Sequence, residues 1–421
     1  MRQVYTALWC LALPLVLLRL WWRGRKEPGY RQHWRERLGF YGPHRPGTHT
    51  LWVHAVSVGE TRAAEPLIDA LMLAYPDSRI VLTHMTPTGR ATGRALFAKH
   101  GERLVSAYLP YDIPFMVRRF IGHFVPRICI LMETEVWPNL IAACGERVPV
   151  ALVNARLSER SLRRGRRFGA LMTDAARALA LVAAQTEADA ERIRSLGAPR
   201  VEVTGSIKFD VVVPPAALAT GAWLRERIGA RPVLLCASTR EGEEALILDA
   251  LGPLWELPGK PLLMIVPRHP QRFDEVAAMV TARGLAVQRR SNLIDAVAST
   301  TEVLLGDSMG EMFAYYSACD LAFVGGSLLP LGGQNLIEPC ALGKPVLIGP
   351  HTFNFALVTE EAIAAGGALC VADATELVSI SKKLLVDEKA MGEMGAYALA
   401  FANHHRGATA RTVGLLRHMI F

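Results

Sequence analysis

The segment 323–355, FVGGSLLPLGGQNLIEPCALGKPVLIGPHTFNF, restricts the possible folds more than any other part of the chain. An apolar run at 321–324 reads as a short strand and breaks at Gly325-Gly326. A second break comes at Gly332-Gly333. Helical spacing then runs from Leu336 to Leu342, and Gly343 suits the position just past a helix end. Residues 345–348 form another buried-strand run. Strand, glycine loop, helix and strand in that order make a βαβ unit. Glycines let backbone approach a ligand closely, and a helix that starts after them turns unpaired N–H groups toward an anion. Glu338, on the first helical turn, carries a carboxylate within reach of ribose hydroxyls. The same residues also suit two tight turns and a helix cap in any α/β domain, so the spacing alone leaves nucleotide binding open.

A chain of 421 residues holds more than one domain, and 51% hydrophobic residues with 35 glycines fit α/β architecture with buried parallel strands. The seven cysteines lie mostly in apolar runs (Cys129, Cys236, Cys319, Cys370) with no CxxC pair, which reads as buried thiols in a reducing compartment. The net charge of +8 is unevenly placed: residues 1–45 hold nine Lys/Arg against Glu27 and Glu36. A nucleic-acid binder spreads its basic residues over a folded face, so no nucleic-acid partner is expected. A basic cluster directly behind an apolar segment reads instead as a membrane anchor.

That apolar segment is 4–22, which reaches spanning length only if Arg19 snorkels, so it either crosses once or lies in the interface. Trp21 and Trp22 suit the headgroup boundary, and the following charges put the remaining chain on the cytoplasmic side. A cleaved signal peptide is disfavoured because no small-residue cleavage site follows. Residues 31–40 continue as a basic, aromatic stretch suited to anionic lipid, with Arg31, Arg35 and Arg37 as candidate phosphate contacts.

Beyond residue 50, strands alternate with helices of ten to fifteen residues in both halves, which predicts two doubly wound sheets. Strand runs fall at 51–56, 79–83, 127–132, 149–154, 179–184 and 201–204, with a further strand ending at 109–112. After VVVPPAALA at 211–219 the pattern repeats at 233–237, 262–266 and 303–305. The expected division is 1–45 as anchor and basic segment, 46–210 as a first lobe, 211–228 as a hinge, 229–400 as a nucleotide-binding lobe, and 401–421 as a terminal helix that returns to the first lobe.

Open parallel sheets bind ligands at the carboxyl ends of their strands, and the informative residues sit there. Glu60, Thr86, Asp112, Glu133 and Glu135 belong to the first lobe. Ser238, Arg268, His269, Asp307, Met309, Gly310, Glu311, Asn335 and Glu338 belong to the second. Glu60, after a strand-to-helix turn, can accept a proton from a hydroxyl or simply complement a helix dipole. Glu133 and Glu135 directly follow a buried run, an uncommon place for two acids. Lys208 can face a developing phosphate or carboxylate charge, or pair with Asp210. Arg268-His269 can clamp a phosphate or shape a loop between prolines. No Walker motif, Asp-x-Asp pair or HExxH is present, and no metal is expected.

Taken together, the motifs resemble the 3-deoxy-D-manno-octulosonic acid (Kdo) transferases of lipopolysaccharide assembly over essentially the whole chain. They include LWWRGRK (20–26), HAVSVGE (54–60), MTPTG (85–89), METEVWPN (132–139), NARLS (154–158), the runs 205–210, 267–270 and 306–311, and GPHTFNF (349–355). Gln334 departs from the family, whose members often carry His in that Gly-Gly-His-Asn loop. The resemblance implies a GT-B type fold of two Rossmann-like lobes facing a cleft, and a hinge closure that assembles the site. It further implies CMP-Kdo as donor, the lipid A precursor lipid IVA as acceptor, and metal-independent transfer with inversion. Carried over by motif, Glu60 is the general base, and Glu133 and Lys208 stabilise the transition state. Arg268, His269, Met309, Gly310, Glu311, Asn335, Leu336, Ile337 and Glu338 hold CMP. Competing readings are a membrane-associated GT-B transferase with a UDP-sugar donor, a dinucleotide-binding oxidoreductase, and a nucleic-acid binder. The second lacks GxGxxG after the first strand, and the third conflicts with the confinement of the charge.

Overall fold

A computed structural model describes residues 1–43, 49–167 and 169–420. The chain forms two compact units, Met1–Asp210 with Arg406–Phe421, and Val211–His405. The boundary expected at 45/46, and Arg45 with it, lies outside the described residues.

The first unit is built on seven parallel strands: β1 (His49–His54), β2 (Ser78–His84), β3 (Leu104–Tyr108), β4 (Pro126–Met132), β5 (Val150–Ala155), β6 (Leu181–Ala184) and β7 (Val201–Val203). Their order is β3-β2-β1-β4-β5-β6-β7, so the chain reverses its direction of growth between β1 and β4. Both faces are covered. Leu51 and Val53 of β1 pack with Leu67, Ile68 and Leu71 on one side, and Trp52 packs with Phe120, Leu140 and Ile141 on the other. That two-sided burial is why the strands read as continuous apolar runs rather than alternating ones.

The second unit repeats the plan with β8 (Val233–Thr239), β9 (Leu262–Pro267), β10 (Val287–Arg289), β11 (Val303–Leu305), β12 (Leu321–Val324), β13 (Val346–Ile348) and β14 (Ala368–Cys370). The order is β10-β11-β9-β8-β12-β13-β14, again all parallel, with the reversal between β8 and β12. In open α/β sheets such reversals open a crevice at the strands' carboxyl ends, and the candidate residues cluster at both.

Several expectations need correction. The stretch 211–228, expected as a hinge, begins at the boundary between the units and from Pro215 to Ile228 is a helix whose Leu224 and Ile228 sit in the second unit's core. Residues 401–404 complete the helix Glu388–His404, and the final helix is Ala408–Ile420. That helix sends Leu416 and Ile420 into the first unit's core, beside Leu67 and Ile128. Asp210 fixes its start by accepting from the Gly407 and Thr409 N–H groups at 2.6 and 2.5 Å. Cys370 is exposed, because β14 is an edge strand.

Arg37 is also not a phosphate contact. It is buried, donates to the Met85 carbonyl at 3.1 Å, and lies 3.9 Å from the Tyr108 ring centroid. Its neighbour Glu36 accepts from both terminal nitrogens of Arg90 at 2.8 and 3.0 Å, and from the Tyr108 N–H. These contacts tie the basic stretch to the first unit and leave Arg31 and Arg35 exposed.

Candidate active site

β1 ends in a short loop that enters the helix Val58–Ala63. Ser57 caps that helix by accepting from the Glu60 N–H, while the Glu60 carboxylate returns to accept from the Val56 N–H at 2.7 Å and the Ser57 hydroxyl at 3.3 Å. This is a variant of the capping box in which the carboxylate reaches the N–H one residue before the cap, and it holds Glu60 at the carboxyl end of β1. Burial pushes the Glu60 carboxyl up from its ordinary 4.5 to about 7, and the charges of Glu135 and Glu133 add to the rise. A carboxylate that changes protonation near neutrality is suited to taking a proton from a hydroxyl.

Glu133 follows β4 directly and has left-handed backbone, φ +56. It is almost wholly buried, so its charge needs partners: Lys208 Nζ lies 2.9 Å from one oxygen and Arg156 Nε 3.3 Å from the other. Glu135 accepts from the Trp137 indole at 2.8 Å, and burial raises its carboxyl with help from Glu133. Lys208 rides on the one-turn helix Ile207–Phe209. That turn is held by Asn154, a fully buried residue at φ +50 whose Oδ1 accepts from the Ile207 N–H at 3.1 Å.

The remaining first-unit candidates are structural. Asp112 is buried and accepts from the Asn139 and Leu140 N–H groups at 3.0 and 2.7 Å, capping the helix Pro138–Cys144. Thr86 caps the helix Pro87–Leu96 by accepting from Gly89 N–H at 3.1 Å.

In the second unit the ends of β8 and β12 meet over Glu243. This carboxylate is fully buried. One oxygen accepts from the Gly326 and Arg240 N–H groups at 2.6 and 2.9 Å, the other from Ser327 and Leu328 at 2.9 and 3.0 Å. Gly325 allows this closure, since a Cβ there would lie 2.7 Å from the Thr239 Cα. The Ser327 hydroxyl donates to Val324 O and accepts from Gly349 N–H, which joins β12 to β13. The Gly333 N–H donates to Gly326 O at 2.7 Å, extending the same scaffold to the loop before Asn335.

Asn335 accepts from the Ile337 N–H and donates to Glu338, both at 3.1 Å. Leu336 and Ile337 are fully buried, so the polar side chains of the run 335–338 are Asn335 and Glu338. Arg268 and His269 are exposed after β9, and burial together with Arg240, Arg268 and Arg272 pushes the His269 imidazole below its ordinary value. Arg272 is neutralised by Glu244 at 2.6 Å and Glu275 at 3.1 Å. Glu311 accepts from Arg290 at 2.9 Å and from Ser308, which also meets the Tyr315 hydroxyl. Next to it, Met309 is exposed and Gly310 has φ +83. Asp307 accepts from the Ser291 N–H and hydroxyl at 2.8 and 2.7 Å, a loop-holding role.

Asn154 and Arg156 enter the sequence reading only within the motif NARLS, with no role of their own, and Glu243 is not among the candidate residues. Asn154 carries a signal, a polar residue closing the buried run 149–153; Glu243, in the first turn of the helix Glu243–Ala250, carries none that separates it from other first-turn acids.

A curated 3-deoxy-D-manno-octulosonic acid transferase of Bordetella pertussis is 46% identical to this chain over 426 residues, covering 99% of this chain and 98% of the relative. The chain belongs to the Kdo transferase family. The enzyme of the same name from Haemophilus influenzae is 37% identical over equally complete lengths, 99% and 98%. The family description 3-deoxy-D-manno-octulosonic-acid transferase (kdotransferase) matches residues 32–211. The crystal structure of a UDP-GlcNAc 2-epimerase from Neisseria meningitidis superposes with TM-score 0.58, covering 88% of this chain and 100% of that one. At 16% identity it speaks to the fold alone, α/β of the GT-B type. As a Kdo transferase the protein is a glycosyltransferase.

Proposed function

We propose that the enzyme transfers Kdo from CMP-Kdo to the lipid A precursor lipid IVA, with inversion and without a metal, in lipopolysaccharide core assembly at the cytoplasmic face of the inner membrane. The observation that carries this reading is Glu60: a carboxylate held by its capping box and poised near neutrality. Glu60 takes the proton of the acceptor hydroxyl as the oxygen attacks the anomeric carbon from one face. The bond to the CMP phosphate breaks on the other face, and CMP leaves as an anion. One in-line displacement inverts the centre, and Glu60 returns its proton to water. Because the leaving group is already a stable anion, no general acid is needed.

Lys208 offsets the donor carboxylate or the departing phosphate, and Glu133 holds the lysine and supports positive charge on the sugar ring. In the second unit Arg268 and His269 take the phosphate of CMP. Met309, Gly310 and Glu311 form one side of the nucleotide site, and Asn335 and Glu338 the other, with Leu336 and Ile337 fixing the helix behind them. The apolar helix Arg2–Arg23, long enough to cross a membrane, keeps the enzyme near its amphiphilic acceptor.

The test is transfer from CMP-Kdo to a tetraacylated lipid A precursor, with and without EDTA, products resolved by mass. Wild type should be active in EDTA, and Glu60→Ala should lose activity by at least roughly 100-fold. No transfer by folded wild type would overturn the donor assignment; full activity in Glu60→Ala would overturn the base.

A further inference from the structure

The helix Arg2–Arg23 has two apolar faces with different surroundings. One is docked on the first unit. The Tyr5 hydroxyl donates to Asp112 at 2.9 Å, Thr6 and Asn139 exchange hydrogen bonds at 3.1 and 2.9 Å, and the Trp9 and Tyr111 rings lie 5.8 Å apart. Further along, Leu13, Val16 and Leu17 pack on the cluster formed by Leu20, Tyr30, Tyr111, Ile113 and Met116. The other face carries Val4, Leu8, Leu11, Leu15, Leu18 and Trp22, spaced alternately by four and three residues, each between 58% and 75% exposed.

Tyr5 and Leu20, which both touch the first unit, are separated by about 22 Å of helix rise. A helix crossing a hydrocarbon core about 30 Å thick carries one end to the far side. It would have to strip Tyr5 and Thr6 from buried Asp112 and Asn139. The docked geometry is instead that of a helix lying along a surface.

The charges say which surface. Residues 1–26 contain no Asp or Glu and carry Arg2, Arg19, Arg23, Arg25 and Lys26. The Arg25 and Arg31 guanidinium groups lie 4.8 and 5.1 Å from the Trp21 ring centroid, placing cations around an exposed indole at the stripe's end. A second copy of this face would bring like charges together, whereas an anionic headgroup layer above an acyl interior complements both stripe and cations.

Building on the membrane placement proposed above, we infer that this helix lies in the plane of an anionic phospholipid bilayer and does not cross it. The first unit holds it from behind, and the Val4–Trp22 stripe enters the lipid.

Two measurements test this on the full-length protein. In inverted inner-membrane vesicles, a protease-cleavable tag fused ahead of Met1 should be cut without detergent. Protection until detergent is added, in membrane-bound enzyme, would overturn the in-plane placement while leaving membrane association intact. Separately, Leu8→Ser/Leu11→Ser/Leu15→Ser/Leu18→Ser should lower co-sedimentation with phosphatidylglycerol-containing vesicles by at least roughly tenfold, with an unchanged Tm. Binding equal to wild type would show that the stripe does not enter lipid, and failure of wild type to bind would overturn the membrane assignment itself.

Discussion

Lys208 Nζ stands 2.9 Å from a carboxylate oxygen of Glu133, across 75 residues of sequence. The pair joins the end of β4 to the turn that follows β7. Replacing Lys208 with Met removes the cation while keeping an unbranched side chain. Its expected effect is a fall in kcat of roughly 100- to 1,000-fold with a smaller change in KM, because in the transfer proposed above the charge acts on what develops at the transition state. Steady-state rates on CMP-Kdo check this; a change confined to KM would assign Lys208 to ground-state binding.

Glu60 predicts a pH dependence. As a base it must be deprotonated, so kcat/KM should rise with pH and level off above about 7. The stability effect has the opposite sign. Between its ordinary 4.5 and about 7 the folded protein holds this proton and the unfolded chain does not, so stability falls as pH rises through that window. Melting curves of Glu60→Gln, compared with wild type across this range, should lack that part of the slope.

Glu243 should behave as a positioning residue for the nucleotide site. Glu243→Gln keeps the shape but turns an amide NH2 toward two backbone N–H donors. Loss of two charge-assisted bonds at a fully buried site costs roughly 2–4 kcal/mol. Urea denaturation reads that cost. The KM for CMP-Kdo should rise by roughly tenfold or more while kcat at saturation changes less, a split that general destabilisation would not produce.

Asn154 combines two roles that substitutions can separate. Asn154→Gly tolerates the left-handed backbone but loses the acceptor for the Ile207 N–H. Asn154→Ala loses the acceptor and adds roughly 1 kcal/mol of strain. Both should lower kcat by a similar factor through misplacement of Lys208, and only Ala should carry the extra stability loss. Equal Tm values for the two variants would contradict the strain assignment.

How far the sequence was legible follows from where each signal lies. Strands buried on both faces leave unbroken apolar runs, so β1, β4, β5, β8 and β9 were readable within a few residues. β10, with its half-buried Val-Gln-Arg at a sheet edge, left no such run. The capping box at Glu60 is local and was visible as a strand-to-helix acid. Partners brought together by a parallel sheet are remote in sequence, so the pairing of Lys208 was not readable. Asp210, its nearby alternative, instead holds the start of the helix Ala408–Ile420. Asp112 looked like a site residue because it follows a strand, but a carboxylate there also serves a neighbouring helix, and the sequence cannot separate the two.

That final helix has a consequence for how the protein is made. Its Leu416 and Ile420 complete the packing around β1 and β4, yet residues 406–420 are synthesised after every residue of the second unit. The second unit is in effect an insertion into the first. On the ribosome the unit carrying Glu60 and Lys208 waits, its core open, while the later-begun unit already has all its strands. The earlier half of the chain is therefore the last to close.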